Sequence, residues 1–431
     1  MRKINIGIIG LGNIGAGAVK ILLGRKSLLA HKIETDILIK KICDKDLNRK
    51  RDLTLDKALL TNDAYALIND PAIDIVVELM GGINPAKEFI LAALKKGKHV
   101  VTANKALLAE CGNELFREAQ ERGKNIYFEA SVGAGIPIIK SIKEGLVANK
   151  FNSIFGIVNG TSNYVLTQMS KENCSFANAL ADAKLKGFAE KDPTFDIQGI
   201  DSAHKLVLLT YLVFGKIVAM QDIFIEGITQ ISAADIAYAN ELGYTIKLLA
   251  IAKKEGQELE VRVHPTFLPS EHLLSSVDGV FNAIYVSSDL AGDLMFYGPG
   301  AGQLPAASAV VSDIVDLAQD IKAGLFRPTL NSLEDTSIKG LRKIDEFENK
   351  YYIRIKVVDK PGVLAKIAGI LAKFGISIAS VTQKEKLKSQ IVPVVMVTHE
   401  VKEKNLRGAL KMIDKLTEIK DKSVAIRIEG V

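Results

Sequence analysis

Cysteine is scarce. Cys43, Cys111 and Cys174 are the only three in 431 residues, far apart and without a CxxC pair. That spacing excludes a local metal clip or a disulfide framework and fits a reducing compartment. Long apolar runs are missing too: no stretch of about 20 apolar residues offers a membrane span. The opening "MRKINIGIIGLGNIG" is basic and then apolar, but the run is short and broken by glycine, unlike a secretory leader. Charge of one sign is nowhere concentrated. The formal net charge of +6 is spread along the chain, which argues against nucleic-acid binding. With 48% hydrophobic and 25% charged residues, what remains is a folded cytoplasmic protein. At about 100–200 residues per domain it holds two to four domains.

The first thing present is a strand, a glycine turn and a helix. "INIGIIG" (4–10) reads as a strand buried on both faces, and "AGAVKILLGRK" as a helix. Between them lies Gly10-Leu11-Gly12-Asn13-Ile14-Gly15, a GxGxxG. In that context Gly10 permits the tight turn, Gly12 lets the backbone approach a pyrophosphate, and Gly15 lets helix and strand pack closely. The pyrophosphate would rest on N–H groups at the helix start. The next strand, "DILIKKICD" (36–44), ends in Asp44, near where an acid holds the adenosine ribose of NAD. A polar insertion, "KSLLAHKIET", loosens that spacing. Lys45, Arg49, Lys50 and Arg51 follow and suit either a 2′-phosphate or a solvated loop, so NAD versus NADP stays open.

The βα rhythm continues through "IDIVVELMGG" (73–82), "AKEFILAALKKGKHVVTANK" (86–105) and "NELFREAQERGKNIYFEASVGAG" (113–135). Strands ending at Met80, Ala103 and Glu129 alternate with amphipathic helices, as an α/β doubly wound parallel sheet of Rossmann type requires. Ligands of such sheets bind beyond the carboxyl ends of the strands. Gly81, Gly82, Thr102 to Lys105 and Glu129 to Gly135 share that rim. Lys105 at a helix start opposes the helix dipole, a local conflict of the kind functional residues show.

After residue 131 the pattern changes. Gly160-Thr161-Ser162-Asn163 follows the strand "SIFGIVN" and either caps a helix or faces a ligand with several donors. A helix then stops at Gly187. "FAEKDPTFDIQGIDSAHK" gathers Glu190, Asp192, Asp196 and Asp201 ahead of Lys205. A new helix starts near Gly199 with Asp201 and Lys205 on one face, and the following "LVLLTYLVFG" is nearly all apolar. A partly buried lysine needs several oxygen partners, which favours a binding site over a surface ion pair.

These runs resemble a known family. "GLGNIG", "VVELMGG", "TANKALLAE", "FEASVGAGIP", "NGTSNYVL", "GFAEKDPTFDIQGIDSAHKL" and "GPGAGQLPAASAVVSDI" (298–314) look like the signature runs of homoserine dehydrogenase, in the same order, over about residues 1–345. The resemblance implies reversible reduction of aspartate 4-semialdehyde to homoserine with NAD(P)H, a step in threonine, methionine and isoleucine biosynthesis. It implies Lys105 and Lys205 as the catalytic pair, and Glu190, Asp196, Asp201, Gly160, Thr161 and Asn163 around the substrate. The cofactor would meet Gly10, Gly12, Asn13, Ile14, Gly15, Asp44, Gly81, Gly82, Thr102, Lys105 and Gly302. A monovalent cation such as Na+ would sit at Glu129, Val132, Ala134 and Ile136, mostly on main-chain oxygens, a reasonable set for a hard cation. The alternative there is a tight glycine loop with no ion. The residue chemistry agrees with the lysine pair. Only six histidines occur, and His204 alone falls in these runs, about 100° around the helix from Lys205. It reads as packing or solvent-facing, so lysine is the remaining acid or base for an aldehyde oxygen gaining charge.

Strand-rich material between 217 and 304 would form a sheet able to pair across a two-fold axis, and the family implies a homodimer or homotetramer. The helix near 305–325 would return to the nucleotide domain. Residues 1–130 thus form the dinucleotide domain, 131–304 the α+β substrate and dimerisation domain, and 327–349 a polar linker. From 350 to 431 the order βαββαβ is ferredoxin-like, and "VVDKPGVLAKIAGILAKFGISI" resembles the ACT domain, an amino-acid sensor. An effector, threonine if an end product feeds back, would bind at Asp359, Pro361, Gly362, Val363, Ile376 and Ser380. The alternative is a tail that only supports an oligomer. A chain ended near 345 is expected to stay active and lose inhibition by threonine. Two rival readings remain: a dehydrogenase for another amino or hydroxy acid, which leaves the 190–205 loop without a purpose, and a sensor with a disabled active site, which the two lysines oppose.

Overall fold

The structure, a computed structural model, describes residues 3–328, 335–383 and 391–430. β1 (Ile4–Ile9) leads into α1 (Asn13–Gly24) and α2 (Lys26–Ile33), followed by β2 (Ile37–Cys43) and β3 (Leu60–Thr61). Next come α3 (Ala64–Ile68), β4 (Ile75–Glu78), α4 (Ala86–Lys95), β5 (His99–Thr102), α5 (Lys105–Glu121) and β6 (Ile126–Tyr127). These strands make one six-stranded sheet in the order β3-β2-β1-β4-β5-β6, every pair parallel. The order reverses between β1 and β4, where doubly wound sheets bind ligands.

The chain continues through α6 (Ile138–Lys140), β7 (Phe151–Ile157), α7 (Gly160–Glu172), α8 (Phe176–Leu185), α9 (Thr194–Ile197) and α10 (Ile200–Phe214). Then follow β8 (Phe224–Ile225), α11 (Ala233–Glu241), β9 (Tyr244–Glu255), β10 (Glu258–Pro269), β11 (Phe281–Ser288) and β12 (Gly292–Pro299). After α12 (Gln303–Ala323) come β13 (Gly340–Leu341), β14 (Glu348–Val358), α13 (Val363–Lys373) and β15 (Ile378–Gln383). The chain closes with β16 (Ile391–Thr398), β17 (Val401–Lys402), α14 (Glu403–Ile413) and β18 (Val424–Ile428).

Two compact units result. The first holds residues 1–154, 204–221 and 281–335; the second holds 155–203, 222–280 and 336–431. In the first, α12 lies against α1, with Ala307, Val310, Ile314 and Leu317 in one apolar cluster with Ile4, Ile6, Ile8 and Val19. Burying such side chains stabilises by roughly 1.5–3 kcal/mol each, so a helix some 300 positions down the chain completes the cover of β1. α2 falls where the sequence reads as a polar insertion; only Leu29 and Ile33 join the cluster, too few to show a period. β6 is shorter than the strand expected up to Glu129, and Glu129–Ser131 turn as a 3-10 helix instead.

In the second unit the strands run β9-β10-β18-β14-β16-β15. The last four carry the tail's βαββαβ order, with β18 and β16 antiparallel to β14, as expected of a ferredoxin-like domain. β18 also pairs in parallel with β10, Thr266 opposite Arg427 and Phe267 opposite Ile428. The tail is therefore continuous with the sheet that precedes it. Of the linker expected at 327–349, residues 329–334 lie outside the described residues. Residues 338–349 are no loose tether: Ile338 and Phe347 are buried and β13 pairs with β10. Sparse apolar periodicity hid this, because only isolated side chains anchor the segment.

Candidate functional site

The first turn of α1 fits an anion. A side chain on Gly15 would run into the carbonyl of Gly10, while nothing in the protein lies within 4 Å of the corresponding position at Gly12, the N-cap. Helix and strand thus close up on one side and leave room on the other. Leu11 N–H donates to Asp44 Oδ2 at 2.6 Å, and Asp46 N–H to Asp44 Oδ1 at 2.8 Å. Arg51 donates to the carbonyls of Leu11, Arg49 and Asp46. Both side chains shape the loop. Of the four cations read as phosphate candidates, Arg49 borders a cleft of about 460 Å³ with Asn13, Ile14, Gly81, Gly82 and Lys105.

That cleft has a wall built by a residue the sequence reading passed over. Glu78 ends β4 fully buried. Its carboxylate accepts Met80 N–H at 2.8 Å and the Thr102 hydroxyl at 2.7 Å. Burial raises its pKa, opposed by these donors. Thr102 in turn accepts Asn104 N–H, and Asn104 donates to Gly82 O at 2.6 Å while capping Leu107 N–H. The ends of β4 and β5 are locked together, and Lys105 is delivered to the cleft as the first residue of α5. Thr102 itself is fully buried. The signal was legible only as a carboxylate ending an apolar strand in "VVELMGG".

Gly302 caps α12 at φ 120°, and Gln303 donates to Asn13 O at 3.0 Å, tying this helix start to that of α1. Lys205 on α10 is 8% exposed and its neighbour His204 7%, with His204 Nε2 4.0 Å from Glu110. His204 is a packed residue. Glu129 is buried, with its two oxygens accepting Ile139 and Lys140 N–H at 2.8 and 2.9 Å, and its own N–H donating to Asp313. Burial raises the pKa of Glu129 and, further, of Asp313. Val132 and Ile136 are buried beside it, and Ala134 takes a left-handed φ of 47°. Among the described residues no group of three or more His, Cys, Asp or Glu is arranged to hold a metal. A carboxylate with main-chain carbonyls still suits a hard monovalent ion.

The acid loop belongs to the second unit. Asn159, also unread in the sequence, caps α7 through Ser162 N–H, and its side-chain amide donates to Asp196 at 2.7 Å and Asp201 at 2.8 Å. One amide thus holds two half-buried carboxylates together. Ser162 donates to Asp196 O and Thr161 to Phe188 O. Asp192 accepts from Thr194 and stabilises α9, and Glu190 is exposed. Asn163 turns inward, donating to Val277 O and Gly279 O at 3.0 Å. In the tail, Asp359 accepts from Gln383 at 3.4 Å, and Gly362 caps α13 at φ 87°. Pro361 and Ser380 are exposed, whereas Val363 and Ile376 sit in the tail's core.

With that geometry in view, comparison with known proteins is decisive. The family model "Homoserine dehydrogenase" matches residues 137–315, its NAD-binding domain matches 10–129, and the ACT domain matches 351–418. The homoserine dehydrogenase of Neisseria gonorrhoeae is 40% identical over the whole of both chains, and that of Helicobacter pylori 43%. The chain belongs to the homoserine dehydrogenase family. A solved homoserine dehydrogenase from Thiobacillus denitrificans superposes with a TM-score of 0.93 at 40% identity, covering 100% of this chain and 99% of that one. The Staphylococcus aureus enzyme gives 0.78 at 34% identity, with both chains fully covered. The resemblance read from the sequence holds, and so do the α/β class, the NAD-binding domain and the ACT domain. No helix among the described residues is long and apolar enough to cross a membrane.

Proposed function

We propose that this member of the homoserine dehydrogenase family interconverts aspartate 4-semialdehyde and homoserine with NAD(P)H. The observation that carries the reading is Lys105 lining the same cleft as Asn13, Ile14, Gly81 and Gly82, the strand-end rim where a dinucleotide rests. Bound there, the nicotinamide supplies or accepts the hydride. Lys105 and Lys205 are the acid–base pair: as ammonium, a lysine donates a proton to the oxygen that gains charge, and as amine it accepts one in the oxidative direction. Asp196, Asp201 and Glu190 answer the substrate's own ammonium group, with Gly160 and Thr161 alongside. Asn163 acts behind them, through the loop it holds. Glu129 and main-chain oxygens of Val132, Ala134 and Ile136 would hold a Na+-like cation, which would place a fixed positive charge at the 129–136 turn.

The domain plan is a dinucleotide domain over 1–130 with α12 returned to it, a substrate and dimerisation domain over 131–304, and an ACT domain from 350. The ACT turn takes threonine at Asp359, Pro361, Gly362 and Ser380, with Val363 and Ile376 as the floor, in a homodimer or homotetramer. Support for the turn is its left-handed glycine leading into α13. The test is homoserine oxidation followed with NAD and NADP in turn while threonine is titrated in. Homoserine-dependent reduction of either nucleotide, suppressed by threonine, is the expected result; none with either would refute the reading.

A further inference from the structure

The tail's last strand reaches toward the acid loop. Arg427 on β18 is 4% exposed. It grips Glu403 with two nitrogens, Nε at 3.0 Å and Nη2 at 2.8 Å. Its remaining nitrogen, Nη1, donates to Glu226 Oε2 at 2.8 Å, and the guanidinium lies 4.5 Å over the ring of Phe224. Glu226 follows β8, which pairs in parallel with β10, and its N–H continues that pairing onto Val263 O. The next residue, Gly227, touches the turn after α9 so closely that a side chain there would collide with Ile197 O and Gln198. Ile228 N–H donates to Ile197 O at 2.8 Å. Asp196 precedes that turn and Asp201 follows it, both carboxylates on Asn159.

We infer that Glu226 is a positioning residue: held by Arg427 of the ACT tail, it fixes the 197–199 turn and thereby the spacing of Asp196 and Asp201. The inference rests on the reading that these two acids bind the amino-acid substrate. Glu226 makes its side-chain bond to Arg427. It acts through the strand it anchors, whose glycine leaves no slack against the turn. The same chain of contacts gives any rearrangement of the tail a short path to the substrate acids, because Arg427 belongs to the strand shared by the ACT domain and β10.

The experiment is steady-state homoserine oxidation by the full-length protein carrying Glu226→Ala, Glu226→Asp, Glu226→Gln or Asp196→Asn. Loss of a charge-assisted hydrogen bond predicts that Glu226→Ala raises KM for homoserine roughly tenfold. kcat and the KM for the nucleotide should stay near the parent values. Glu226→Asp, too short to keep both strand and Arg427 in place, should do the same to a lesser degree and guards against a misfolded alanine variant. Glu226→Gln, whose amide oxygen still accepts from Arg427, should restore KM to nearly that of the parent. The proposal is overturned if Asp196→Asn raises KM but Glu226→Ala and Glu226→Asp do not, or if Glu226→Gln is as impaired as Glu226→Ala. An unchanged KM in Asp196→Asn removes the substrate reading of the loop instead, and the positioning role with it.

Discussion

Glu78 shows how much of a site can hang on one side chain that touches no ligand. Its carboxylate satisfies two loop amides and the Thr102 hydroxyl in a fully buried place, and unmade bonds there cost about 1–3 kcal/mol per group. Glu78→Leu should therefore lower stability by about 3 kcal/mol or more, and weaken nucleotide binding, read by thermal unfolding and by KM for the nucleotide. A variant with parent stability and KM would contradict the bonding described. At this scale the sequence was legible where chemistry is local. Gly10, Gly12 and Gly15 announce themselves by spacing, and so does Lys105 by sitting against a dipole. Asn159 did not, because its partners lie 37 and 42 positions away and its own neighbourhood reads as a plain helix cap. Nor did the contacts of Asn163, whose amide nitrogen donates to Val277 O and Gly279 O, 114 and 116 positions away.

Among elements, β5 carries a pH dependence. His99 begins the strand, is buried, and accepts Asn125 N–H on its ring at 3.2 Å, which requires the neutral form. Burial depresses its pKa from 6.5 to about 4. Between those values the unfolded chain holds a proton that the folded one does not, so stability falls as pH drops through the window. The shift corresponds to about 3 kcal/mol at most. Denaturant melts at pH 7 and pH 4.5 should show a loss that His99→Gln lacks, and equal pH sensitivity in both would refute the assignment. The apolar strands β1, β4 and β9 were legible as runs rich in Ile, Val, Leu and Ala, and β10 by its alternation in "LEVRVHP". The two-residue strand β3 and the helices α2 and α9 were not, since a turn or two offers no period to read, and β6 was legible only as a longer strand than the one formed.

For the whole molecule, the tail is bonded into the unit it belongs to. Arg354 donates to both oxygens of fully buried Asp235, Tyr352 adds a third bond, and Tyr352 stacks on Phe267 at 4.7 Å. Arg262 joins Glu260 and Glu429, one nitrogen to each. Ending the chain near 345 would strip Asp235 of its cation, which costs about 3–5 kcal/mol for one such pair. The whole stability of a typical protein is only about 5–15 kcal/mol. Expression of residues 1–345 should therefore give insoluble or unfolded protein, not an active enzyme released from threonine, and a soluble, fully active fragment would contradict this. The βαββαβ order of the tail was legible because each element is local. That β18 also pairs with β10 was not, because parallel pairing across some 160 residues leaves no mark in either segment.

The two lysines, both within the first compact unit, decide the matter most directly. The measurement is kcat for homoserine oxidation in Lys105→Ala, Lys205→Ala and the double variant, with nucleotide binding checked by fluorescence. If they serve one proton transfer, each single change should lower kcat by about 10²–10⁴. The double variant should then be hardly worse than the poorer single one, because groups acting as a unit are not additive, and the nucleotide should still bind. Near-parent turnover in either single variant, or losses that simply multiply, would show that the two ammonium groups do not share the reacting oxygen.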